Sequence, residues 1–217
     1  MSNPDSFIDE VTEEVRRDRL FAIFRRYGWI GAVLVAAIVG GAAWNEWQKA
    51  RATERAQAFG DTMLDALDIG APADRAAAIA GVPADGTQRA VQALMLASDP
   101  AADPAGALAA LDGLIADPDQ PELYRDLAVL RRAMLGAALP LSERRAALEA
   151  IAAPGRAFRA LAQEQLAYLL IEEAKPAEAI AAFAALMQDQ TAPAGLKQRA
   201  AQMITALGGT LPVAAAG

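Results

Sequence analysis

The chain contains neither cysteine nor histidine. Without cysteine there is no disulfide framework, whatever the redox state of its compartment. Without either residue the commonest zinc ligands are missing, as is the side chain that most often moves protons near neutral pH. Serine is confined to Ser2, Ser6, Ser98 and Ser142, the last read as a helix N-cap. No phosphate-cradling glycine loop occurs, since Gly40-Gly41 and Gly208-Gly209 lack the flanking pattern. Carboxylates are plentiful, but most fall at helix starts or on polar faces, where solvation accounts for them. The expectation is a non-enzymatic protein with no catalytic residue, no cofactor and no metal site. The enzymatic alternative is a wall- or lipid-active enzyme with paired carboxylates in a cleft, which a carboxylate scan would test.

Lysine is also scarce: arginine outnumbers it seventeen to three, a bias common where the genome is GC-rich. Twenty basic residues face twenty-seven acidic ones, a net charge of −7. Residues 1–26 carry five basic and six acidic residues, so nearly all of the negative excess lies beyond them. An acidic domain repels phosphate backbones, which argues against nucleic acid as a partner. Strand-type alternation is almost absent. The class expected is all-α.

Against these absences stands one long apolar run. Tyr27 to Asn45, YGWIGAVLVAAIVGGAAWN, carries no charge over nineteen residues; Arg25 and Arg26 precede it and Glu46 follows. As a helix, residues 27–47 cover about 30 Å, the thickness of a bilayer's hydrocarbon core. Tyr27 and Trp29 mark one end and Trp44 and Trp47 the other, as amphipathic rings do at the two membrane interfaces. The reading is a single transmembrane helix. The buried centre of a soluble bundle would not explain the aromatic ends. A cleaved signal peptide is disfavoured by the long, acid-containing leader, although Gly41-Ala42-Ala43 offers a cleavable site. Five arginines precede the run and only Lys49, Arg51 and Arg55 follow closely, so the N-terminus is predicted cytoplasmic and the C-terminal part outside. Gly28, Ala32, Ala36 and Gly40 recur every four residues, a small-residue stripe on which another membrane helix could pack.

Residues 1–26 read as a cytoplasmic amphipathic helix. Ser6 and Asp9 resemble a capping box, and Ile8, Val11 and Val15 form the apolar face. Residues 48–86 read as a linker helix, running to Leu67, followed by one short helix between turns. Residues 208–217 read as a flexible tail. Between them, over 87–207, punctuation becomes regular. Helices are predicted over 87–98, 104–116, 121–138, 142–152, 156–174, 176–190 and 193–207, most with proline at or near the first position. Short breaks between amphipathic helices imply antiparallel hairpins. Ala107, Leu111 and Leu114 repeat as Ala179, Phe183 and Leu186, 72 residues apart, or two periods of 36. A middle unit drawn from Leu123–Leu135 and Ala147–Ile151 matches less cleanly. The spacing is close to the tetratricopeptide period of about 34 residues. A helical-hairpin solenoid of this kind is the expected architecture.

DSFIDEVTEEVRRDRLFAIFRRYGWI, one span, an EW-containing helix and degenerate hairpins together resemble the YfgM-type ancillary subunits of the bacterial SecYEG translocon. The resemblance is concentrated in residues 6–47 and 156–207, whereas residues 68–155 follow the pattern loosely. It implies a single-pass inner-membrane protein with a periplasmic repeat domain. Such a protein would work beside the secretion channel and a membrane-anchored periplasmic chaperone, without enzymatic activity or a small-molecule substrate. On the face lined by the first helix of each hairpin, the expected partner contacts are Tyr124, Arg131, Arg159, Gln163 and Tyr168. The alternative function is an envelope regulator whose cytoplasmic helix holds a soluble factor.

Overall fold

A computed structural model of the chain describes residues 4–136 and 139–211, with side-chain surroundings given from Arg25 onward except at Tyr27 and Gly28. Expectations placed on the side chains of Ser6, Ile8, Val11, Val15, Tyr27 and Gly28, and on the tail after Leu211, lie outside that description. Every regular element among the described residues is helical.

The first helix, α1 (Pro4–Leu67), runs without interruption through the leader, the apolar run and the linker. Neither proline nor a helix-ending turn intervenes, so the backbone has no reason to stop. The chain divides into two compact units between Ala58 and Phe59, later than the expected boundary at residue 47. In the first unit, every side chain from Trp29 to Ala58 is exposed. The apolar window of this helix is therefore not the centre of a bundle within the chain; it is long and apolar enough to be one candidate membrane span.

The second unit begins with the last turns of α1 and continues through α2 (Pro72–Gly81), α3 (Thr87–Leu96), α4 (Pro104–Ala116), α5 (Glu122–Ala133), α6 (Leu141–Ile151), α7 (Arg159–Glu172), α8 (Pro176–Gln188) and α9 (Ala194–Ala206). Pro72, Pro104 and Pro176 occupy the first turn of their helices, where the missing N–H costs nothing. Each helix from α2 to α9 packs on the next, and α7 also touches α5 and α9. The apolar interior is correspondingly a chain of small cores rather than one. Met63, Ala66, Ile79 and Val82 form the first, with Met95 and Leu96 against it. The second joins α3, α4 and α5, the third α5, α6 and α7, and the last α7, α8 and α9 around Phe183. Sharing one helix between successive cores is the mark of a solenoid. The first core also ties residues 59–86 into the stack, so the expected boundary at residue 86 is not a structural one.

The repeat register is more complete than the sequence pattern suggested. In the first helices, Ala90, Leu94 and Ala97 recur as Asp126, Leu130 and Ala133 and again as Ala162, Leu166 and Leu169, in steps of 36. In the second helices, Ala107, Leu111 and Leu114 recur as Arg144, Leu148 and Ile151, then as Ala179, Phe183 and Leu186. The middle unit looked irregular because a buried arginine replaces the small residue. Arg144 Nε donates to the Ala133 carbonyl at 2.8 Å, and its two terminal nitrogens grip Glu172 at 2.7 and 2.9 Å. An i-to-i+4 count of small residues cannot see this substitution.

Three local expectations need correction. Ser142 lies inside α6, which Pro140 precedes as the flanking residue, so its hydroxyl is not the N-cap. The fifth helix ends at Ala133, not at residue 138, because Met134 and Leu135 turn back on α5 carbonyls before Gly136 at φ +63°. The seventh begins at Arg159 rather than Arg156. A Schellman turn closes α9, with Gly208 at φ +78° and Gly209 N–H donating to the Ile204 carbonyl. The same turn closes α7 with Ala174 at φ +57°, a conformation that usually belongs to glycine.

Candidate functional site

A groove floored by α7 and walled by α6 and α8 opens in the second unit, with a volume of about 450 Å³. Its floor is one stripe of α7: Arg159, Gln163, Leu166, Ala167 and Leu170. Spacings of four, three, one and three place these residues on a single helical face. Ala182, Ala185 and Leu186 of α8 complete the apolar lining, and the small side chains of the two alanines leave the trough between the helices unfilled. Arg145 of α6 stands at the far end.

Both ends of the groove are closed by ion pairs. At one end Arg159 pairs with Asp189 and also donates to the Thr191 hydroxyl at 2.7 Å. Asp189 in turn accepts the Thr191 N–H at 2.9 Å and its hydroxyl at 2.8 Å. These bonds, first from the Thr191 backbone N–H and then from its hydroxyl, hold the Asp189 carboxyl below the usual carboxylate range, with Arg159 adding to the effect. At the other end Arg145 donates to Glu173 at 2.5 Å, and Lys175 stands 2.9 Å from the same side chain. Those two donors lower the Glu173 carboxyl in the same way. The result is an apolar trough with ion-paired rims, suited to apolar side chains. It holds no side chain pairing a nucleophile with a base. Among the described residues no three metal-ligating side chains gather either.

Of the five expected contacts, the structure brings two together here: Arg159 and Gln163 line the groove, 3.4 Å apart. The others lie elsewhere and serve packing. Tyr124 packs against the core of α3 and α4. Arg131 reaches back to the Leu94 carbonyl at 3.4 Å, near the C-terminal end of α3, where a cation complements the helix dipole. Tyr168 meets Phe183 edge-on, with ring centroids 5.3 Å apart. Burial, and then the Glu164 charge, push its phenol above the usual value. Reading for exposed polar groups missed Leu166, Leu170, Ala182 and Ala185. The leucines carry the same signal as any core-facing leucine of a helix, and the alanines carry none beyond a small volume.

No family model, curated protein or solved structure matches the chain. In the first unit, Ala32, Ala36 and Gly40 are exposed on one helical stripe, and a Cβ added at Gly40 would meet nothing within 4 Å. Trp29, Trp44 and Trp47 are exposed at the two ends of the run.

Proposed function

We propose that the protein is a non-enzymatic, membrane-anchored interaction module in which α1 crosses a bacterial inner membrane and the helical stack holds other proteins in the periplasm. The carrying observation is the apolar α6–α8 groove, mounted on a chain whose first helix has an uncovered apolar span. Grooves of this kind take the apolar face of a helix or extended segment, with side chains seated between the walls. Anchoring adds to weak affinity, because partners confined to the same membrane meet at high effective concentration. The resemblance in residues 6–47 and 156–207 makes the SecYEG translocon and a membrane-anchored periplasmic chaperone the partners of choice.

Site-specific photocrosslinking in intact cells tests this reading. A crosslinking side chain at Ala182 or Gln163 is expected to capture translocon subunits or the anchored chaperone, while one at Gln198, on the exposed face of α9, is not. Capture of a soluble cytoplasmic factor alone would replace the reading with the envelope-regulator alternative.

A further inference from the structure

One face of α1 carries two arginines in line with the interfacial indoles, an arrangement that the span by itself does not require. Trp44, Trp47, Arg51 and Arg55 follow one another at spacings of three, four and four, so they form a single stripe. The Trp44 and Trp47 rings stand 5.0 Å apart, and the Arg51 guanidinium lies over the Trp47 ring, 4.0 Å from its centroid. All four side chains are exposed. Among the described residues no carboxylate comes within ion-pair distance of Arg51. Lys49, by contrast, is bridged to Glu46 at 3.9 Å on the opposite side of the helix.

We propose that this stripe is a binding site for the headgroup of an anionic phospholipid. The proposal rests on reading α1 as a membrane span. The uncharged run ends at Asn45, which sets the two indoles at interface depth and Arg51 about 6 Å further along the axis, where lipid phosphates lie. Stacking on Trp47 occupies the flat face of the guanidinium and leaves its N–H edge free. That edge is the part that grips a phosphate with two parallel bonds. Arg55, one turn on, supplies a second positive charge, and Glu54 lies at the border of the stripe. Two cations beside an aromatic platform at headgroup depth complement a lipid of negative headgroup charge. A zwitterionic lipid would bring its own cation against them.

The experiment uses the full chain in native membranes and in detergent. An alkaline carbonate wash is expected to leave the chain in the membrane, and release would overturn both the span and the site. The chain in micelles is then offered equal amounts of phosphatidylglycerol and phosphatidylcholine, and retained lipid is counted by native mass spectrometry. Preferential retention of phosphatidylglycerol is expected, reduced about fivefold by Arg51→Gln, the change expected for one interfacial cation. Arg51→Lys keeps the charge without the planar fork and should lose part of the preference, and Trp47→Leu likewise. Lys49→Gln, on the opposite face, should leave it unchanged. A membrane-retained chain with no preference would overturn the site alone, as would equal loss in Lys49→Gln and Arg51→Gln. Displacement of the lipid by inorganic phosphate would assign the site to a free anion instead.

Discussion

Single residues set local stability through conformation and burial. Ala174 holds φ +57° at the end of α7, where an L side chain crowds the following carbonyl. Replacing it by glycine removes that strain, although glycine is more costly to order from the unfolded chain. The expected net effect of Ala174→Gly is a gain of about 0.5–1 kcal/mol, read as a higher urea midpoint. The Arg144–Glu172 pair makes an asymmetric prediction, because Arg144 is 6% exposed and Glu172 45% exposed. Removing the acid leaves a buried guanidinium without its counter-charge, whereas removing the arginine leaves an acid that water can solvate. Glu172→Ala should therefore cost about 2–3 kcal/mol and Arg144→Met less, with the ordering checked by denaturant unfolding. If Arg144→Met proves the more damaging, the packing role of the guanidinium outweighs its charge.

At the scale of elements, the stack is fastened by acids just beyond second helices and by buried acids on first helices, each facing arginine. Asp117 after α4 and Asp189 after α8 both accept the N–H of the residue two positions on. Asp117, Asp189 and Glu173 are held below the usual carboxylate range by hydrogen bonds, led respectively by Gln120, the Thr191 N–H and Arg145. A depressed carboxylate contributes stability above its unfolded value and loses it as pH falls through its folded value. Asp126 opposes this trend, since burial raises it despite Arg156; its favourable contribution exists at low pH and is lost as pH rises. The depressed carboxylates therefore act to lower the melting temperature as pH drops from about 5 to about 3, and Asp189→Asn should remove its share of that fall. Most helices were legible in the sequence because proline starts and apolar periodicity agree, as at Pro104 and Pro176. What stayed hidden depended on partners distant in sequence. Arg144 reads as a surface arginine until Glu172 and the Ala133 carbonyl are placed beside it, and the groove exists because Ala167, Ala182 and Ala185 fail to fill it.

Over the whole second unit, stability follows from the sizes of the linked cores, since each hairpin depends on its neighbours rather than on a common interior. The core of α7, α8 and α9 is the largest, gathering Phe183, Leu186, Leu196 and Ile204, and Arg199 spans α9 to α7 with 2.8 and 2.7 Å bonds to Glu164, which is 2% exposed. Gly209 closes this end so tightly that a Cβ there would sit 3.0 Å from Ile180 and Ile204. The core at the other end holds only Met63, Ala66, Ile79 and Val82. Unfolding should therefore begin at α2 and spread toward α9, not occur in one step. Hydrogen exchange at rising urea provides the measurement, with amides of α2 expected to lose protection before those of α8 and α9. Gly209→Val, which crowds Ile180 and Ile204, should lower the protection of α8 and α9 while leaving α2 as it was. Simultaneous loss across α2 to α9 in the unmodified chain would mean that the second unit behaves as one core, and that the shared helices couple more strongly than their burial implies.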